Sequence, residues 1–266
     1  MNRKAIILGG HGFIGSVLCA EAKKRGWETI PVNHSDYPQC AGTSCDVLIN
    51  ANGNSKKYLA DQDANLDFDL SVRSVSRSLH DIQAKLYVYL SSIDVYSNIS
   101  NPACNHEKSV IAHEKLSCYG FNKLLAEQLV RHHAKTWLIL RLGGFVGPGL
   151  KKNSIYDMLK SQHVHVHPDS RYQYIDTATM AAITFQMIEN GLQKSIFNLA
   201  GDGTISVREI ANLFPGDPLA GTPPDKLPEH YEVNISKIKT VAVIPSTRKT
   251  VERFVKDVQS GLVQLS

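Results

Sequence analysis

The segment that most restricts what this chain can fold into is Gly9-Gly10-His11-Gly12-Phe13-Ile14-Gly15. It follows Lys4-Ala5-Ile6-Ile7-Leu8, a short apolar run that reads as a strand buried on both faces. It precedes a helical pattern over residues 13–25, which Gly26 closes as a C-cap. Glycines at this spacing, between a first strand and its helix, allow a tight turn, a close approach of backbone to a pyrophosphate, and close packing of helix on strand. The helix behind the turn offers free N–H groups and the positive end of its dipole to phosphate oxygens. Gly9, Gly12, Phe13, Ile14 and Gly15 are therefore expected to hold the phosphates of a dinucleotide.

Further elements of the same kind continue along the chain. Residues 28–32 and 46–51 read as the second and third strands, 70–82 as a helix, and 86–91 as another central strand. A helix is expected over 119–133 and a strand over 136–142. Strands alternating with helices imply βαβ units and a parallel sheet. The expected fold class is α/β, a Rossmann-type doubly wound parallel sheet with a smaller C-terminal substrate-binding region. Beyond Gly143 the elements shorten, punctuated by Gly147-Pro148-Gly149, Pro215, Pro218 and Pro223-Pro224. The expected division is a dinucleotide-binding domain over 1–145 and a mainly substrate-binding region over 146–266, interleaved with the first.

Composition narrows the class of partner. Of 266 residues, 42% are hydrophobic and 20% charged, enough for one large core. The formal net charge of +4 is spread along the chain, which suits small anionic ligands and lacks the clustered stripe of a nucleic-acid binder. No apolar stretch approaches the length of a membrane span, and Met1 leads directly into the first strand without a signal segment. The five cysteines (Cys19, Cys40, Cys45, Cys104 and Cys118) are odd in number and lack CxxC spacing, so reduced thiols and a cytoplasmic location are expected.

An NAD-binding turn places an acid about 20 residues further on, against the ribose 2′-hydroxyl. Here the second strand ends in Val32-Asn33-His34-Ser35. Neutral Asn33, His34 and Ser35 accept a 2′-phosphate without charge repulsion, although Asp36 is adjacent. The cofactor expected is NADP or NAD, with a slight preference for NADP. Ala51, Asn52 and Gly53, after the third strand, complete the expected cofactor contacts.

Three later segments carry chemistry: Ser91-Ser92-Ile93-Asp94-Val95-Tyr96, Tyr119-Gly120-Phe121-Asn122-Lys123, and Leu140-Arg141-Leu142-Gly143-Gly144-Phe145-Val146-Gly147-Pro148-Gly149. Together with the glycine turn they resemble the extended short-chain dehydrogenase/reductase family, in its sugar-nucleotide epimerase, dehydratase and reductase branch, over residues 1–200. Tyr119 and Lys123 stand four apart on one helix and share a face. A tyrosine hydroxyl ordinarily titrates near ~10. A neighbouring ammonium and an oxidised nicotinamide are expected to lower it, so that Tyr119 exchanges a proton with a substrate oxygen. The resemblance implies that Lys123 also binds the nicotinamide ribose and that Ser92 hydrogen-bonds the same substrate oxygen.

Asp94 stands where dehydratases of the family carry an acid or base, with Ile93 where their other acid often lies. One carboxylate in place of a pair argues against dehydration, and the alternative role for Asp94 is a loop hydrogen bond. Ser71 replaces an asparagine frequent in the family. Gly143-Gly144 replaces another that meets the substrate diphosphate, which leaves Gly144 as a substrate contact. Arg171, in Asp169-Ser170-Arg171-Tyr172, resembles an arginine that meets a substrate phosphate, a surface arginine being the alternative.

Ser206 and Glu209 form a capping box. His163-Val164-His165-Val166-His167 is expected as an exposed strand face without a metal. His132-His133 complements the dipole at a helix end. The resulting expectation is an enzyme acting on the carbonyl or hydroxyl of a nucleotide-activated sugar, as a 4-keto-sugar reductase or an epimerase, and by resemblance a homodimer. Two alternatives stand beside it: a reductase of a non-sugar ketone, and a non-catalytic NAD(P)-binding redox sensor or assembly subunit. The Tyr–Lys pair speaks against the last.

Overall fold

β1 (Lys4–Leu8) carries apolar side chains on both faces, and Ala5 to Leu8 are all buried, as a strand covered on both sides requires. The computed structural model describes residues 3–54, 57–220 and 227–265. In it β1 pairs in parallel with β2 (Glu28–Val32) on one side and β3 (Ser44–Asn50) on the other. β4 (Gln83–Ser92) pairs in parallel with β3, and β5 (Trp137–Leu142) with β4. With Ser195–Leu199, which becomes β9 below, the sheet has six strands in the order β2-β1-β3-β4-β5-β9. This is the expected α/β Rossmann-type sheet. The chain leaves β1 for β2 and then returns to β3 on the opposite flank. Such a reversal opens a crevice at the carboxyl ends of the strands.

The helices follow from local chemistry. α1 (Phe13–Lys24) buries Gly15, Leu18, Cys19 and Ala22 along one stripe. It ends before Gly26, whose φ of +76° suits a residue without a Cβ. Between β3 and β4 the structure departs from the single helix expected over 70–82. Two short helices come first, α2 (Lys57–Gln62) and α3 (Ala64–Phe68), the second capped by the Asp63 side chain on the Leu66 N–H at 2.9 Å. A π-helical turn over Asp69–Arg73 follows, then α4 (Ser74–Asp81). The wide turn turns both Ser71 and Val72 inward, and π turns of this kind recur at functional sites. α5 (Cys118–His133) begins at Ser117, whose hydroxyl accepts the Gly120 N–H, and packs on β4.

The contacts divide the chain into two compact units. One comprises residues 1–97, 107–142 and 181–198; the other comprises 98–106, 143–180 and 199–266. In the second, β6 (Gly144–Val146) pairs in parallel with β8 (Tyr174–Asp176). β7 (Arg171–Tyr172) lies between β10 (Ile205–Ser206) and β11 (His230–Tyr231). α6 (Ser154–Leu159), α8 (Val207–Ala211) and α9 (Thr247–Gln259) complete it, while α7 (Thr177–Glu189) starts here and precedes β9. The Ser206–Glu209 capping box is formed.

The strand expected over 163–167 does not form. Pro168 lacks the N–H a ladder needs, and the chain turns there with the Ser170 N–H on the His167 carbonyl at 2.9 Å. The His163 and His165 rings meet edge to face, with centroids 4.7 Å apart, where strand alternation would have aligned them. Pro223-Pro224 lie outside the described residues. Among the described residues no helix is long and apolar enough to cross a membrane.

Candidate active site

The glycine turn is dense on one side and open on the other. A Cβ on Gly9 would meet the Ala51 carbonyl at 2.9 Å, and one on Gly10 would meet Pro31 at 2.7 Å. At Gly15 it would lie 2.1 Å from the Gly9 carbonyl. These three glycines let β1, β2, β3 and α1 converge. Gly12 differs: a Cβ there meets only the Gly9 carbonyl, at 3.2 Å. α1 starts directly behind it with Gly12 as N-cap and no side-chain cap. An uncapped helix start facing open space through a glycine fits a dinucleotide pyrophosphate. Phe13 and Ile14 form the first turn of α1, half-buried.

Asn33, His34 and Ser35 are exposed at the end of β2. Asp36 folds back on them: its Oδ2 accepts the Asn33 N–H at 3.4 Å and its Oδ1 the Ser35 hydroxyl at 3.0 Å. Beyond β3, the Asn52 N–H donates to the Asn50 side chain at 3.0 Å, and Gly53 takes a φ of +120°.

Ser92 ends β4 and is buried. Its hydroxyl donates to Asp94 Oδ2 at 2.7 Å and accepts the Asp94 N–H at 3.2 Å. The other Asp94 oxygen accepts from Lys57 Nζ of α2. Tyr119, in the first turn of α5, is buried beside the Ser92 hydroxyl. Gly120 lets the helix approach, since a Cβ there would lie 2.2 Å from the Asp94 carbonyl. Lys123 follows one turn later, also buried. Its Nζ donates to the Leu90 carbonyl at 3.4 Å and lies 5.9 Å from the centre of the Tyr119 ring. A Cβ on Gly53 would come within 3.4 Å of that ammonium, so the loop after β3 and the end of β4 close on Lys123 together.

Burial dominates the electrostatics of the pair. Burial pushes the Tyr119 hydroxyl well above the ordinary range, the charges of Asp94 and Asp67 push it further, and the nearby Ser92 hydroxyl opposes them. Burial also pulls Lys123 down to about 8, against Asp67, Glu127 and Asp94, which hold its proton. Desolvation therefore outweighs the lowering of Tyr119 by its lysine that the spacing of the two residues suggests.

A buried network fixes α5 against the sheet. The Arg141 guanidinium of β5 grips Glu127 of α5 through Nε at 2.9 Å and Nη2 at 2.7 Å, and the Ser91 hydroxyl donates to the same carboxylate at 2.6 Å. Arg141 Nη1 donates to the Tyr96 hydroxyl at 2.8 Å, which donates to Asn198 Oδ1 of β9 at 2.8 Å. A bidentate, fully partnered pair of this kind holds orientation as well as charge. Sequence reading singled out the Leu-Arg-Leu strand but not its partner Glu127. The acid stands four residues after Lys123, a helical spacing that signals a shared face.

Gly144 and Arg171 belong to the second unit. Gly144 is required by packing, because a Cβ there would meet the Gln173 carbonyl at 2.7 Å and the Tyr174 ring at 2.9 Å. The Arg171 guanidinium is engaged by Thr204 Oγ1 at 3.1 Å and Glu209 at 3.3 Å. Residues 5–200 match the model of the NAD dependent epimerase/dehydratase family.

The chain belongs to that family.

It is accordingly an NAD(P)-dependent enzyme of the extended short-chain dehydrogenase/reductase type, using a nicotinamide cofactor. This sets aside the non-catalytic reading. No curated protein sequence matches the chain significantly. Among solved structures it resembles a UDP-galactose 4-epimerase, with 18% identity and a TM-score of 0.78 over 97% of this chain and 99% of that one. The UDP-glucuronic acid 4-epimerase of Bacillus cereus, in complex with UDP-glucuronic acid and NAD, gives 17% and 0.77 over the same shares. The dTDP-4-dehydrorhamnose reductase of Bacillus anthracis str. Ames, in complex with NADP, gives 16% and 0.73, again over 97% and 99%. At these identities the likeness is one of fold.

Proposed function

We propose that this enzyme reduces a ketone on a nucleotide-activated sugar with NADPH. The carrying observation is the convergence of Ser92, Tyr119 and Lys123 at the carboxyl end of β4, where Ser92 ends the strand, Tyr119 is buried beside it and Lys123 donates to the Leu90 carbonyl. The nicotinamide, when bound, supplies the hydride. Tyr119 gives its proton to the oxygen that becomes a hydroxyl, a role suited to a phenol that burial keeps protonated at neutral pH. Ser92 hydrogen-bonds the same oxygen, turning its proton away from Asp94. Lys123 holds the nicotinamide ribose. Asp94, tied to Ser92 and Lys57, sets the Ser92 hydroxyl, while Ile93 is apolar and buried. That leaves no second acid beside Asp94 for the paired chemistry of dehydration.

Gly9, Gly12, Phe13, Ile14 and Gly15 hold the pyrophosphate, and Ala51, Asn52 and Gly53 line the nicotinamide side. NADP is proposed over NAD. Both Asp36 oxygens already have donors, leaving the Asn33 and His34 side chains, and the Ser35 hydroxyl once it turns from Asp36, to meet a 2′-phosphate. The division at 1–145 and 146–266, with Gly144 and Arg171 as contacts of the nucleotide sugar, belongs to the same proposal. The sugar-nucleotide names of the similar structures support it. A cytoplasmic location is in keeping with five free cysteines. A homodimer through α5 is supported by the apolar groove of Phe68, Val72, Leu125 and Leu129.

Epimerisation is the second reading, favoured by the family's own description. Native mass spectrometry of the purified protein separates the two. A tightly retained dinucleotide speaks for an epimerase, and reversible binding of added NADPH for a reductase. The catalytic assignment is tested by Tyr119→Phe, expected to abolish turnover while leaving NADPH affinity nearly intact, since the variant loses a proton donor and keeps the ring by which Tyr119 also meets the cofactor. Unchanged turnover would sink it.

A further inference from the structure

Asp67, in the last turn of α3, is completely buried. A carboxylate in such a place costs several kcal/mol unless donors or a cation meet it. Its Oδ1 accepts from Asn54 Nδ2 at 2.8 Å and from the Ser71 hydroxyl at 3.4 Å, and its Oδ2 accepts from Asn122 Nδ2 at 2.7 Å. The donors come from the loop after β3, the π-helical turn and α5, and all are neutral. Each also adjoins the active-site lysine. Asn122 precedes it in the chain. Asn54 follows Gly53, whose Cβ would lie 3.4 Å from Lys123 Nζ and 3.7 Å from Ser71 Oγ.

The groups facing Lys123 are Asp67 from α3, Glu127 and Tyr119 from α5, Tyr89 from β4, and Asp94 from the turn after β4. Two of the three carboxylates already have a cation. Glu127 is bound by Arg141, and Asp94 by Lys57. Among the described residues Asp67 is the one of the three held by neutral donors only. We propose that Asp67 is a positioning residue whose uncompensated buried charge keeps Lys123 an ammonium, with Asn54, Ser71 and Asn122 fixing that charge in place. The inference rests on the role proposed for Lys123. It also gives the π-helical turn a purpose, because the turn brings Ser71 round to the carboxylate. Asp67 is the strongest influence opposing the effect of burial on Lys123.

The test reads Lys123 directly. The full chain is labelled with carbon-13 lysine, the Lys123 resonance is assigned through Lys123→Arg, and its shift is followed from neutral to alkaline pH without nucleotide. The expected midpoint is about 8 in the parent chain. Asp67→Asn and Asp67→Ser are each expected to lower it by about one unit or more, as removal of a nearby opposite charge does. Asp67→Glu is expected to restore most of the shift. The alkaline limb of turnover should move to lower pH in the same order.

A midpoint unchanged in Asp67→Asn or Asp67→Ser overturns the proposal. So does failure of both to fold, which would assign Asp67 to the fold alone. The titration needs no substrate. A chain inactive on every sugar, or a Tyr119→Phe variant that still turns over, would defeat the reductase reading without touching this result.

Discussion

Two alanines in the glycine turn should separate folding from cofactor binding. At Gly15 a methyl would sit 2.1 Å from the Gly9 carbonyl oxygen, well inside the 3.0 Å below which Cβ contacts essentially do not occur. The contact is with backbone, so α1 and the turn must part by about 1 Å, an overpacking that costs roughly 1–3 kcal/mol. At Gly12 the nearest atom is 3.2 Å away and the residue's φ is −75°. Gly12→Ala therefore loses only the preference for glycine at an N-cap, about 1 kcal/mol or less. Its methyl, however, occupies the side on which a phosphate would reach the N–H groups of α1. Losing one charge-assisted hydrogen bond costs about 1.5–3 kcal/mol, and each 1.4 kcal/mol is about tenfold in Kd. The expected result for Gly12→Ala is a urea midpoint close to the parent and a Kd for NADPH about 10- to 100-fold weaker by calorimetry. Gly15→Ala should lose both. Parent-like NADPH affinity in a folded Gly12→Ala protein would refute the placement of the pyrophosphate at this turn.

The other expectations concern the buried charges. Lys123 titrates near 8 in the folded chain against an ordinary 10.5. The unfolded chain therefore keeps a proton that the folded chain releases across that interval, and stability rises with pH through it. Below it the burial cost stands in full, about 3 kcal/mol. Lys123→Met should accordingly be more stable than the parent at neutral pH by up to that amount, with the gain shrinking as pH rises towards the ordinary lysine range. Denaturant melts at neutral and alkaline pH decide this, and a less stable variant at neutral pH would contradict it. Glu127→Gln leaves the Arg141 guanidinium buried against an amide and should destabilise by about 3 kcal/mol. A melt within 1 kcal/mol of the parent (about one ordinary hydrogen bond) would show that Ser91, Tyr96 and Asn198 satisfy the arginine without it.

What the sequence made legible was whatever local spacing encodes. The glycine turn, the apolar strands and the Tyr119–Lys123 interval each lie within a few residues, and each takes the form its pattern implies. The same logic failed where the deciding contact is distant. Three histidines alternating with valines look like a strand, but among the described residues no strand pairs with them, and Pro168 ends the segment. Asp67 and Lys57 lie in no motif that local spacing marks. One is buried where a π-helical turn, Asn54 and the distant Asn122 close over it; the other meets Asp94 across a gap of 37 residues. Spacing likewise shows the lysine beside Tyr119 but not the depth at which both groups lie, which raises the Tyr119 hydroxyl. The departures at Asp67, Lys57 and Tyr119 gather around Ser92 and Lys123. A chain selected for stability alone would bury an apolar side chain at position 123 and need no carboxylate at 67. That it keeps both, and widens a helix to do so, is the pattern expected where local rules yield to chemistry.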